Sequence, residues 1–182
     1  MDTATSRDGT TIAFDRSGDG PPVILVCGQS TTRSSNASLA ALLAPDFTVL
    51  NYDRRGRGDS GDTLPYAVER EVEDIDALVS EAGGSASVFG VSSGAALALE
   101  AAASGLAIDK LALWEPPFDP EEDRRPPLDL AQRYEEMIAE GRRGDVVEYF
   151  LANVVGLPPE FVAHAKTQPS WRRQESMAHT FV

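Results

Sequence analysis

The chain has 182 residues, 42% of them hydrophobic, enough for one globular domain with a substantial core. Its formal net charge of −13 argues against nucleic acid or an anionic membrane surface as a partner, because both repel an acidic protein. One cysteine, Cys27, rules out an internal disulfide, and Met1-Asp2-Thr3-Ala4 lacks the basic start and apolar core of a signal peptide. No apolar run reaches the roughly 18 residues needed to cross a bilayer, so the expected setting is soluble and cytoplasmic.

In chain order, Thr10 to Phe14 alternates as a half-buried strand does, and Gly18-Asp19-Gly20-Pro21-Pro22 turns the chain. Val23 to Cys27 is a continuous apolar run, as expected of a strand covered on both faces. Leu39, Leu42 and Leu43 mark a helix closed by Pro45, and Phe47 to Tyr52 reads as the next strand. Val68, Val72, Ile75 and Val79 form one face of a longer helix, opposite an acidic face of Glu69, Glu73, Asp74 and Asp76, with Gly83-Gly84 ending it. Ser85 to Phe89 reads as a strand, Ala95 to Ala103 as a helix stopped at Gly105, and Ile108 to Trp114 as another strand. This alternation predicts an α/β fold with a mostly parallel sheet.

The pattern then changes. Residues 115 to 125 are Pro-rich and charged, and beyond them only helical periodicity remains. Leu130, Tyr134, Met137 and Ile138 form one stripe; Val147, Phe150, Leu151 and Val154 form a second, with Asp145 as N-cap and Gly156 as C-cap. A third short helix is expected after Pro158-Pro159, and a fourth capped by Ser170 ahead of Trp171. The sequence thus divides into a sheet-forming part, residues 1–117, and an all-helical part, residues 118–182.

The segment Gly90-Val91-Ser92-Ser93-Gly94 follows a predicted strand and opens a predicted helix, the context in which a G-x-S-x-G pattern carries meaning. A sharp strand-to-helix turn strains the serine backbone, and glycines two before and two after it relieve the crowding. The hydroxyl would then stand at a helix N-terminus, where backbone N–H groups can stabilise an oxyanion. The alternative is a glycine-bearing loop with no chemistry.

Four stretches in this order, Asp8-Gly9-Thr10, Gly20-Pro21-Pro22 through Gly28, Tyr52-Asp53-Arg54-Arg55-Gly56-Arg57-Gly58-Asp59-Ser60 and the Ser92 elbow, together resemble the α/β-hydrolase superfamily. The resemblance runs from about Ser6 to Pro117, and more loosely through the helices, which look like the family's lid after the sixth strand. It implies Ser92 as nucleophile. It also implies oxyanion donors at the backbone N–H of Gln29, where Cys27-Gly28-Gln29 replaces the family's His-Gly-x, and of Ser93. Asp53 and Arg54 look structural, and no metal or organic cofactor is implied.

A triad on this fold runs Ser, then acid, then His after the last strand. Glu115, just after the sixth strand, is a candidate acid, since relatives such as haloalkane dehalogenases place it there; a solvated loop glutamate is the other reading. The two histidines, His164 and His179, both fall among the helices, with His179 the better candidate base and a pocket-lining or packing role the alternative. The expected last strands are not in the sequence, which fits a truncated or split chain, a complementing chain, or a naturally short relative. A small hydrophobic substrate is expected from the helical part, along with a second copy or another chain against the exposed sheet edge. Trp114, Tyr134, Phe150 and Trp171 read either as substrate contacts or as core.

Overall fold

The computed structural model describes residues 1–118 and 127–181. The Pro-rich stretch therefore lies outside the described residues from position 119 to 126. Two units are resolved, Met1–Phe118 and Asp119–Val182.

The first unit is a six-stranded sheet with helices on both faces. In chain order it contains β1 (Asp2–Thr5), β2 (Thr11–Ser17), β3 (Pro22–Val26), α1 (Ala37–Leu43), β4 (Thr48–Tyr52), α2 (Val68–Glu81), β5 (Ala86–Val91), α3 (Ser93–Ala103) and β6 (Ile108–Trp114). Its strands are ordered β1-β2-β4-β3-β5-β6. β1 and β2 pair antiparallel with their neighbours, and β4, β3, β5 and β6 run parallel.

The apolar run of β3 is buried on both faces because its residues alternate between two cores. Ile24 and Val26 join Leu50, Tyr52 and Val88 beneath α2 and α3, with Ile75, Leu78, Leu97 and Ala98. Val23 and Leu25 join Val49 and Ala40 beneath α1. Each fully buried Leu or Ile contributes roughly 1.5–3 kcal/mol relative to exposure.

This winding sets the position of the site. From β3 the chain moves to β4 on one side, then returns to place β5 on the other side of β3. The carboxyl ends of β3 and β5 therefore flank a topological switch point, the crevice at which parallel α/β sheets bind ligands.

In α1, Leu39 and Leu43 pack on the core and Leu42 is 77% exposed. Two expectations for α2 are corrected. Val68, placed on its apolar face, sits in the first turn and is 43% exposed. Asp74 is not on the solvated acidic face of α2: it is fully buried, and Arg55 donates to both its oxygens, from Nε at 2.8 Å and Nη2 at 2.6 Å.

The second unit contains α4 (Leu130–Ala139), α5 (Arg143–Tyr149) continuing into a π-helical turn (Phe150–Val154), α6 (Pro159–Lys166), α7 (Ser170–Ser176) and a 3₁₀ turn (Ala178–Phe181). Its own core is Tyr134, Val146, Val147, Trp171 and Ala178. Phe150 and Phe181 pack edge to face with centroids 5.1 Å apart. Tyr134, Trp171 and Phe150 thus contribute to packing within this unit, and Trp114 of the first unit is 59% exposed.

Neither polar cap falls where expected. Arg142 holds the cap position of α5, and Asp145, inside the first turn, accepts a 2.7 Å bond from Arg142 Nε. Its charge still favours the helix N-terminus through the dipole. Pro169 caps α7 and Ser170 is its first residue; the fixed φ of Pro169, −57°, already suits a helix start. Gly156 does end its helix, with a φ of 76°.

Candidate active site

Ser92 stands between β5 and α3 with φ 53° and ψ −123°, a backbone conformation costly for any residue with a side chain. Steric crowding explains its flanking glycines. A Cβ on Gly90 would lie 2.4 Å from the Gly94 carbonyl oxygen, and one on Gly94 would lie 2.5 Å from the carbonyl oxygens of Val26 and Cys27. The turn therefore packs backbone to backbone against the end of β3. The Ser92 N–H donates to the Trp114 carbonyl at 2.9 Å, tying the turn to the end of β6.

The loop after β3 lies against the same serine. A Cβ on Gly28 would be 3.4 Å from the Ser92 Cβ and 3.3 Å from the Val91 carbonyl oxygen. Ser93 opens α3, so its N–H has no acceptor within the helix. A chain reversal at Ser30, with φ 60°, follows Gln29. Cys27 is buried, its Sγ 3.6 Å from the Thr31 carbonyl oxygen.

A buried polar network joins these pieces. Arg54 donates to both carboxylate oxygens of Glu71, at 2.6 and 2.5 Å, and its Nη1 reaches the Cys27 carbonyl at 3.3 Å and the Ser93 hydroxyl at 3.0 Å. That hydroxyl is 3.3 Å from Gln29 Oε1. Arg57 donates to the Gly28 carbonyl at 2.9 Å and to Gln29 Oε1 at 3.3 Å, and the Tyr66 hydroxyl donates to Glu71 at 2.5 Å. Burial alone would raise the Glu71 carboxyl, but Arg54 more than offsets it and holds Glu71 below its ordinary value. Burial and the Glu71 charge push the Tyr66 hydroxyl up, so it remains a donor at neutral pH.

A second set of ion pairs anchors the loop after β4. Asp53 accepts from the backbone N–H of Arg33 at 2.7 Å and of Asp59 at 2.9 Å, and it pairs with the Arg33 side chain. Arg55 reaches Asp8 at 2.8 Å on its other side.

Glu115 directly follows β6 and is exposed, with a φ of 48°. Because Trp114 holds the Ser92 N–H, the Glu115 backbone begins one residue from the elbow's own hydrogen bond. His179 belongs to the other unit, in the 3₁₀ turn, where Arg143 Nη1 lies 3.3 Å from its Nδ1. An arginine can only donate, so in the neutral ring the proton sits on Nε2. His164, in α6, is exposed, with its Nε2 3.0 Å from the Gln168 amide. Ser92, Ser93, Gln29 and Glu115 thus share the first unit, and neither histidine does. Among the described residues no three His, Cys, Asp or Glu side chains are grouped to hold a metal ion.

Residues 23–181 match the model of the alpha/beta hydrolase family. The chain belongs to this family. An alpha/beta hydrolase from Sphaerobacter thermophilus is 57% identical, covers 98% of this chain and 70% of its own, and superposes with a TM-score of 0.87. The bottromycin epimerase BotH, solved with bottromycin A2, is 26% identical over 99% of this chain and 72% of its own, with a TM-score of 0.66. A Mycobacterium tuberculosis protein named "Probable oxidoreductase EphD" is 36% identical over 81 residues, 42% of this chain. That match spans 14% of the curated relative's length.

In this alpha/beta hydrolase, Glu71 on α2 and Tyr66 on the loop before it were not foreseen from the sequence, and Arg57 was seen only as part of the motif after β4. One signal was available for Glu71. At helical spacing it falls among Val68, Val72 and Ile75, so a carboxylate interrupts the apolar stripe of α2. A carboxylate on a buried face needs a cationic partner, and the arginine-rich turn after β4 supplies one.

Proposed function

We propose that this chain carries the nucleophile and oxyanion donors of a serine hydrolase that acts by acyl transfer. The substrate would be an ester, thioester or lactone of a small, hydrophobic molecule. The observation that carries this reading is the backbone of Ser92, held at φ 53° in a turn where two glycines admit no side chain. Such strain persists where the surrounding fold over-determines it, and it marks functional positions.

In this reading the Ser92 hydroxyl attacks the acyl carbon, and the N–H groups of Gln29 and Ser93 receive the oxyanion. Glu115 serves as the acid that orients a base. His179 is the candidate base within the chain, although its Nδ1 faces Arg143. The reading includes a cytoplasmic setting and no cofactor.

A fluorophosphonate probe tests it. We expect covalent labelling of Ser92, lost in Ser92→Ala; labelling elsewhere, or none, overturns the assignment.

A second reading, a partner-dependent or purely binding role, is favoured by β6. This strand lies at the edge of the described sheet, with Leu113 and Trp114 37% and 59% exposed. Unpaired edges pair with other chains. Sedimentation mass decides it: a homo-oligomer or a complementing chain supports this role, and a monomer with one cooperative melting transition argues against it.

A further inference from the structure

We infer that Arg54, held by Glu71 and linked to the Ser93 side chain, is a positioning residue that sets the spacing between the two oxyanion donors. The inference rests on the reading of Ser92 as nucleophile and deepens it. The donors come from different loops, one after β3 and one opening α3, and no strand ladder extends to either. One guanidinium nitrogen touches both loops: Arg54 Nη1 lies 3.3 Å from the Cys27 carbonyl oxygen and 3.0 Å from the Ser93 hydroxyl.

The Ser93 hydroxyl then passes the link to Gln29 Oε1, and Arg57 holds the intervening Gly28 carbonyl. Glu71 fixes the opposite edge of the Arg54 guanidinium with two bonds, so its plane cannot rotate. Glu71 is itself fixed by Tyr66. The side chain of the residue after the nucleophile therefore has a task distinct from that of its backbone N–H. Arg54 bonds Glu71, the Cys27 carbonyl and the Ser93 hydroxyl, so its effect is transmitted through the position of the donors.

The experiment uses Ser93→Ala, which removes the link and keeps the backbone donor, and Ser93→Thr, which keeps the hydroxyl. Glu71→Gln is the companion variant, and Ser93→Ala carries the test if Glu71→Gln does not fold. Two quantities are measured on the full chain: the second-order rate of fluorophosphonate labelling, and the ¹⁵N order parameters of the Gln29 and Ser93 amides.

In Ser93→Ala we expect labelling to slow about tenfold or more. The two order parameters should fall from near ~0.85 toward ~0.6, while that of Leu50 in β4 stays unchanged. Ser93→Thr should restore both. Unchanged order parameters at Gln29 and Ser93, or an unchanged labelling rate, in a folded Ser93→Ala chain overturn the inference. A wild-type chain that does not label sinks the nucleophile reading instead, and the order parameters then decide the positioning role alone.

Discussion

At the scale of single residues, backbone crowding separates glycines that a sequence treats alike. Gly90→Ala would press a Cβ to 2.4 Å from the Gly94 carbonyl and 2.6 Å from the Ala95 Cα, and only backbone movement relieves either contact. We expect a loss of about 3 kcal/mol or more, read from urea midpoints. Gly105→Ala differs: its φ of 86° strains any side chain, but no atom lies within 4 Å, so about 1 kcal/mol is expected. Equal costs at the two positions would contradict the packing described for the elbow. The G-x-S-x-G spacing marked Gly90 and Gly94 in the sequence. The carbonyls of Val26 and Cys27 that make Gly94 necessary come from 67 or more positions earlier and were invisible there.

At the scale of elements, α2 illustrates how far periodicity reaches. Val68, Val72, Ile75 and Val79 predicted its buried face; the last three are buried, and Val68, in the first turn, is 43% exposed. Periodicity also placed Asp74 in solvent, because a carboxylate is polar unless its partner is known. The partner, Arg55, sits on a loop 19 positions away and is itself buried. Asp74→Ala removes two of the bonds to that guanidinium and leaves Asp8 as its carboxylate partner, so it should cost about 2 kcal/mol, whereas Asp76→Ala, on the exposed face of the same helix, should change stability by less than about 0.5 kcal/mol. Thermal denaturation of both variants checks the contrast. β1 was missed for a related reason. Asp2–Thr5 contains one buried apolar residue, Ala4, and its strand character comes from antiparallel pairing with β2. In the second unit, apolar stripes located α4 and α5, but cap chemistry misplaced two helix starts because Arg142 and Pro169 occupy positions that side-chain preference assigns elsewhere.

At the scale of the molecule, the buried ion pairs give stability a defined dependence on pH. Asp8, bonded by Arg55, is held well below the usual carboxylate range, and Glu71 is lowered by Arg54 despite its burial. Asp74, raised by its burial, acts with the opposite sign, but Asp8 and Glu71 titrate lower in the folded chain than in the unfolded one, so their contribution is fully present above the ordinary carboxylate value of about 4. It is lost as pH falls below that value, because the unfolded chain takes up the protons first. Urea midpoints should be flat from about pH 6 to 8 on this account and decline below about pH 4. A decline beginning near neutrality would contradict it. No helix among the described residues is long and apolar enough to cross a membrane.

The sequence by itself determined the family, the order of the strands from β2 to β6 along the chain, and the elbow at Ser92. Those features are local: strand burial, turn glycines and a five-residue spacing leave their mark within a few positions. The tertiary structure alone decided which strands are neighbours, that the loops after β3 and β5 meet at the switch point, and that Glu71 and Arg54 lie beneath them. A buried charge depends on a partner brought in by the fold, and the identity of that partner is set by the winding of the sheet.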